Sequence, residues 1–355
     1  MESHDLESHE LAWYVGEPGP GIGFRSVTAA ALPGSVSDNT ASRVLRVAVF
    51  GTGAVGGVFG ARLAQAGHEV WFVARGKTRE ALESRGLRLD SVDGNVLVTP
   101  VNVTADTEQI GAVDVVLVAV KATQVSGVAA QIAPLIAEST AVIPLQNGVE
   151  ASSRLADELG NDHVLEGLCH VIAAQVEPGH ISHRALVPTI IFGVRPSFPP
   201  TGAVEAMIPV FAAALQQAGI KARTPDDMGV ALWEKFLFIE PIGSVLAASG
   251  RPFGVVRSVP ETRALIDQAL GEAMAVGRAA GVALPDDVRT RTWALYDGMP
   301  AEDYTSMARD LIAGRPSEFD AQTGSVLRMA RRHGVAVPVH DVLHAVLLAR
   351  AVEAI

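Results

Sequence analysis

The sequence predicts an α/β fold in two parts: a parallel sheet flanked by helices, followed by an all-helical domain. Three observations carry this expectation. A glycine triplet separates an apolar β-type run from a helical pattern near residue 50. Nearly continuous apolar runs then end in polar tips, as strands covered on both faces do. Beyond residue 224, strand alternation disappears and only helix and loop signals remain. With 355 residues, the chain is long enough for two domains with their own cores. Residues 44–224 form the first expected domain and 225–355 the second. Residues 1–43 carry scattered Gly, Pro, Ser and charges without sustained periodicity, and are expected to be a disordered extension.

Residues 46–60 read RVAVFGTGAVGGVFG. Gly51, Gly53 and Gly56 have G-x-G-x-x-G spacing, and the strand–loop–helix setting gives that spacing its meaning. Gly51 permits the tight turn, Gly53 lets a pyrophosphate approach the backbone, and Gly56 lets helix pack on strand. With Thr52, Ala54 and Val55 they form a loop whose backbone N–H groups and helix dipole attract phosphate. The alternative is a strand–helix turn with no ligand. Gly67 ends this helix, and residues 69–74 form the second strand. An acid at that strand's tip would accept from the 2′-hydroxyl of NADH and repel a 2′-phosphate. Here the tip carries Ala74 and Arg75, with Lys77 and Arg79 close behind. A guanidinium holds phosphate through paired N–H groups, so NADPH is the expected cofactor. A solvated basic loop is the alternative.

Short strands are expected at 86–90 and 96–103, around the Asp93-Gly94 turn signal. The apolar run 114–120 ends in Lys121, and the run 140–145 ends in Gln146-Asn147-Gly148. Both tips lie at strand C-termini, where open α/β sheets bind ligands. Strands at 171–176 and 189–194, a helix at 204–218 and a strand at 220–223 follow. After Thr224-Pro225-Asp226-Asp227, helices are expected at 230–246, 261–280, 306–313, 317–333 and 340–355.

A net charge of −11 argues against a general nucleic-acid or anionic-membrane surface, while a few local cations suffice for NADPH. Cys169 is the only cysteine, which rules out an intrachain disulfide and a cysteine zinc cluster. No metal site is expected. His170 reads as a buried strand residue, and His180 and His183 as structural or solvated loop residues. The start lacks a signal peptide's basic and apolar regions, and no later run has the roughly 18 apolar residues of a membrane span. A cytoplasmic location is the expectation.

The chain resembles the ketopantoate reductase (2-dehydropantoate 2-reductase) family. The likeness is carried by the glycine loop at 51–56, VAVKATQV at 118–125, LQNGV at 145–149, ALWEKFLF at 231–238 and SMARDLIAGRPSEFD at 306–320. It spans about 45–351. It implies a Rossmann domain followed by a helical domain, with the active site in the cleft between them. It also implies reduction of a 2-oxo acid by NADPH, 2-dehydropantoate to pantoate.

Hydride addition to a carbonyl leaves negative charge on oxygen, which a positioned proton donor must quench. A partly buried lysine suits that task, since desolvation lowers its pKa. The resemblance places the general acid at Lys235 and the acid that meets the substrate hydroxyl at Glu318. It makes Ser306 a substrate-carboxylate contact, Asn147 a contact to cofactor and substrate, and Lys121 a cofactor contact. The residues alone leave simpler roles open. Lys235, between Trp233 and Phe236, could snorkel to solvent. Glu318 and Ser306 could cap helices, Asn147 could serve the turn before Gly148, and Lys121 could be a solvated loop lysine.

The chain departs from the family pattern where asparagines are expected four and eight residues after the lysine: it has Ile239 and Gly243 there, and Asp303 at a third such position. Losing hydrogen-bonding groups relaxes or redirects specificity. Glu240 and Pro241 also break the helical texture just after Lys235. A reductase or dehydrogenase for a different oxo or hydroxy acid is therefore one alternative. A non-catalytic NADPH-binding redox sensor is another, against which Lys235 and Glu318 both count. The expected partner is a small 2-oxo acid, and the helical domain offers an apolar face for a homodimer.

Overall fold

The structure, a computed structural model, describes residues 43–195 and 198–352, so the extension expected over 1–43 lies outside the described residues apart from Arg43. The chain opens with β1 (Arg46–Phe50), α1 (Ala54–Gln65), β2 (Glu69–Val73) and α2 (Gly76–Arg85). Next come β3 (Leu87–Ser91), β4 (Val96–Val98), β5 (Asn102–Thr104) and β6 (Val115–Val118). Then α3 (Ala129–Ile132), β7 (Ala141–Pro144) and α4 (Ala151–Leu159) follow. The long strands β8 (Glu166–Glu177) and β9 (His180–Gly193) precede α5 (Gly202–Glu205), α6 (Met207–Gln217) and β10 (Lys221–Arg223).

One five-stranded sheet is parallel in the order β5-β2-β1-β6-β7. Its centre is apolar on both faces because helices cover both. Along β1, Val47 and Val49 enter one core cluster, while Ala48 and Phe50 enter the other. A second sheet runs β10-β9-β3-β4, with β8 antiparallel on β9.

Several expected elements change shape. The strand expected at 96–103 is two: β4 pairs with β3 in the second sheet, and β5 with β2 in the first. Pro100 lies between them and has no N–H to give a ladder. The strands expected at 171–176 and 189–194 are parts of strands of 12 and 14 residues. Register shifts between His170 and Ile172 and between Gln175 and Glu177 disturb the alternation that would have marked their length. The helix expected at 204–218 is interrupted at Ala206.

From residue 228 onward the described chain is helical. It comprises α7 (Met228–Ser249), α8 (Phe253–Ser258), α9 (Pro260–Ala279), α10 (Val288–Gly298) and α11 (Ser306–Ile312). A π-helical turn (Asp320–Gly324) then runs into α12 (Ser325–His333), and α13 (Pro338–Val352) closes the domain. The sequence reading lacked α8 and α10. The Asp227 carboxylate caps α7 by accepting from Val230 N at 3.0 Å. As the helix expected at 230–246 implies, α7 passes through Glu240 and Pro241 unbroken. A proline leaves the carbonyl four residues earlier without its helical donor. That carbonyl, on Leu237, accepts instead from the buried Tyr296 hydroxyl at 2.6 Å.

Candidate active site

The glycine loop is shaped as its spacing predicts. Gly51 has φ +89, and a Cβ there would lie 2.8 Å from the Ala119 backbone. A Cβ on Gly56 would lie 2.1 Å from the Gly51 carbonyl oxygen, so the first turn of α1 needs glycine to sit against β1. Gly53 is different: nothing lies within 4 Å of where its Cβ would be. It is the N-cap of α1, with no side chain to occupy the turn's free N–H groups. Ala54 and Val55 form that first turn, with Val55 packed on the core.

The open side of Gly53 faces a groove of 490 Å³, lined also by Gly51, Thr52, Arg75, Gln124 and Gln131. The Thr52 hydroxyl is buried there without a hydrogen-bond partner. At the end of β2, Arg75 donates from Nη2 to Gln131 Oε1 at 2.8 Å. Lys77 and Arg79 belong to α2, where Arg79 pairs with Glu83 at 2.7 Å. A free helix N-terminus, a glycine facing open space, an orphaned hydroxyl and a guanidinium at the far end together fit a dinucleotide carrying a 2′-phosphate.

Glu318 comes from the helical domain, and its carboxylate is received at the strand tips of the first. Its Oε1 accepts from Ala122 N at 3.1 Å, just beyond β6. Its Oε2 accepts from Asn147 Nδ2 at 3.3 Å, just beyond β7. Gln146 braces these tips by donating to the carbonyls of Val118 and Val120 at 2.8 and 2.9 Å. Lys121 is exposed and crosses the cleft rather than entering the groove. Its Nζ donates to the Pro316 carbonyl at 2.8 Å and lies 3.8 Å from Asp310. Gly148 has φ +105, and a Cβ on it would lie 2.5 Å from the Ala321 carbonyl oxygen, so the π-helical turn presses directly on this loop.

Lys235 does not reach out to solvent. Its Nζ turns inward and donates to the Cys169 carbonyl on β8 at 2.8 Å. Burial pushes its pKa below the ordinary 10.5, with the Glu318 carboxylate among the groups working in the opposite direction. His170 follows Cys169 and is held neutral: burial, then the charges of Lys235 and Arg223, push its pKa down to about 3. Lys235 and His170 share a 120 Å³ cavity with Leu168, Phe238, Arg223 and Arg291.

Ser306 opens α11 with an exposed side chain, but Thr305 is the N-cap, accepting from Ala308 N. The capping role open to Ser306 therefore belongs to its neighbour. The start of α11 packs on α7 at Gly243, where a Cβ would lie 2.9 Å from Thr305 Oγ1 and 3.3 Å from Met307 Cε. Ile239, one turn after Lys235, packs against the helical core. Asp303 is exposed, and its carbonyl accepts from Phe253 N. His180 pairs with Asp90 at 2.7 Å, and His183 lies 2.8 Å from the Ser91 hydroxyl, well away in the second sheet.

Other residues at the site gave no sequence signal. Gln131 orients Arg75 from a helix only 4 residues long. Arg328 ties Asp320 at 2.8 Å to Glu150 at 2.7 Å across the cleft. Among the described residues, no group of His, Cys, Asp and Glu is placed to hold a metal, and no helix is long and apolar enough to cross a membrane.

Comparison with known proteins places these residues in a chain similar to a known family. The family model described as ketopantoate reductase PanE/ApbA matches residues 47–196, and its C-terminal counterpart matches residues 227–351. A 2-dehydropantoate 2-reductase of Mycobacterium tuberculosis is 32% identical over 303 residues, covering 85% of this chain and 97% of that protein. One of Mesorhizobium japonicum is 30% identical over 331 residues, covering 87% and 98%. The crystal structure of 2-dehydropantoate 2-reductase from Geobacter metallireducens superposes with a TM-score of 0.78 at 31% identity, covering 86% of this chain and 99% of that one.

Proposed function

The chain belongs to the ketopantoate reductase family, and from that membership and its cleft we propose that it reduces a small 2-oxo acid to the 2-hydroxy acid with NADPH. One observation carries the reading beyond the family name. The Glu318 carboxylate is held at the tips of β6 and β7, and the Lys235 ammonium, turned inward onto β8, lies within its electrostatic reach.

On this reading the nicotinamide supplies the hydride, and the chain's residues do the rest. The N–H groups of the glycine loop hold the pyrophosphate, and Arg75 holds the 2′-phosphate. Lys235 gives its proton to the carbonyl oxygen as charge develops there, a transfer eased by the lowered pKa of its buried ammonium. It must exchange the Cys169 carbonyl for the substrate's oxygen to do so. Glu318 accepts from the nascent hydroxyl while Asn147 steadies it, and Ser306 receives the substrate carboxylate. Lys121 reaches the cofactor by leaving the Pro316 carbonyl.

The finer reading is 2-dehydropantoate to pantoate, which the names of the relatives support. A second reading, another 2-oxo acid with an apolar substituent, is favoured by α7 itself. Gly243 has no room for a side chain beside Thr305, and Ile239 offers no hydrogen bond. The room beside Lys235 lies instead in the cavity whose walls combine Leu168 and Phe238 with His170, Arg223 and Arg291. NADPH oxidation with a panel of 2-oxo acids tests both readings. Fastest turnover of 2-dehydropantoate supports the first, and preference for a bulkier apolar 2-oxo acid supports the second. Tight NADPH binding without turnover of any panel member would leave the redox-sensor reading in their place.

A further inference from the structure

A chain of buried polar groups crosses the helical domain and ends on the segment that carries Glu318. At its centre is His340 on α13, with no solvent exposure. Its Nδ1 lies 2.7 Å from Glu272 Oε2 on α9, and its Nε2 lies 3.0 Å from Glu240 Oε2 on α7. A carboxylate only accepts, so a ring with one on each nitrogen donates from both and is the imidazolium. Burial opposes that charge, but the two carboxylates outweigh it and push the His340 pKa up to about 9.

The other oxygen of Glu240 accepts from Ser244 at 2.7 Å, which commits Ser244's one proton. The 2.7 Å contact between the Ser244 and Thr323 hydroxyls is therefore donated by Thr323. Glu240, Ser244, Thr323 and His340 are all fully buried. Thr323 lies in the π-helical turn, which begins two residues after Glu318. The Ala321 carbonyl of the same turn abuts Gly148, the neighbour of Asn147. A π-turn is disfavoured against a plain α-helix and recurs at functional sites. Buried charges likewise weigh against stability unless they fix a particular arrangement.

We propose that Glu240 and His340 are positioning residues for Glu318. Their ion pair fixes the Ser244 and Thr323 hydroxyls, and these hold the π-helical turn in the register that presents the Glu318 carboxylate to Ala122 and Asn147. The proposal rests on the reading of Glu318 as a substrate-binding residue, and its test keeps the two apart.

The variants are Glu240→Gln, Thr323→Val and Thr323→Ser in the full chain. Two quantities are measured: amide hydrogen exchange over residues 319–324, and the steady-state constants with the best 2-oxo acid. Glu240→Gln and Thr323→Val should speed exchange over 319–324 by about tenfold while α9 keeps its protection. They should lower kcat roughly tenfold, as misplacement of a catalytic group does, with NADPH affinity unchanged. Thr323→Ser, which keeps the hydroxyl, should restore both. In a Glu318→Ala background, Glu240→Gln should lower kcat no further, because the group it positions is gone. Parental exchange over 319–324 in Thr323→Val overturns the proposal, as does faster exchange throughout the helical domain or an additive loss on top of Glu318→Ala. Should the parent reduce no 2-oxo acid, the functional reading fails, and the exchange over 319–324 alone decides the positioning role.

Discussion

Arg75 donates to Gln131 at the far end of the groove that Gly53 leaves open, so its guanidinium is held in place before any ligand arrives. Preorganisation of this kind reduces the ordering cost of binding. Arg75→Ala should weaken NADPH by roughly tenfold or more, the scale of one lost charge-assisted contact of about 1.5–3 kcal/mol, and should leave NADH nearly unchanged. Fluorescence titration with both cofactors checks this, and an equal loss for the two would place the 2′-phosphate elsewhere. Arg75 could be singled out as a candidate from the sequence because strand-tip chemistry is local. Its partner Gln131 could not, since 56 residues separate the two. Lys235 was likewise legible as a cation in an apolar helix, but its inward turn to the Cys169 carbonyl depends on how β8 packs against α7.

Between α7, α9 and α13, the imidazolium of His340 contributes to stability as well as to geometry. Its pKa of about 9 lies above the ordinary 6.5, so the contribution is fully present below pH 6.5 and is lost as pH rises through 9. Its size is on the order of 3 kcal/mol. Thermal melts should therefore show the parent's Tm falling across that alkaline window, and His340→Gln should start lower and flatten the decline. A decline of the same depth in the variant would mean that His340 is not the titrating group. Elements were legible where burial was symmetric. β1, β6 and β7 are covered on both faces and read as unbroken apolar runs. β8 was seen only in part, since bulges and half-exposed residues interrupt its alternation. α8 is only 6 residues long, too short for helical periodicity to emerge. How α7 tolerates Pro241 could not be read, because the Tyr296 hydroxyl that replaces the missing donor comes from α10, a helix the sequence did not reveal.

Across the molecule, polar groups bridge the cleft at several places, among them Glu318 to Ala122 and Asn147, Lys121 to Pro316, Arg328 to Glu150, and Lys235 to Cys169. Beside these bridges, a buried apolar cluster of Leu168, Ile191, Met228 and Leu232 packs the two parts together, so the site is built from both domains. Motifs put forward the candidate site residues, yet none of these pairings, because each joins positions far apart in the chain. The central claim is that Lys235 gives the proton in a reduction driven by NADPH. It is tested most directly by steady-state turnover of Lys235→Ala with the best 2-oxo acid, measured across pH. Turnover should fall by roughly a hundredfold or more, NADPH affinity should change little, and the parent's alkaline limb, set below the ordinary lysine value of 10.5, should vanish. Turnover near the parental rate, with the alkaline limb intact, would contradict the account.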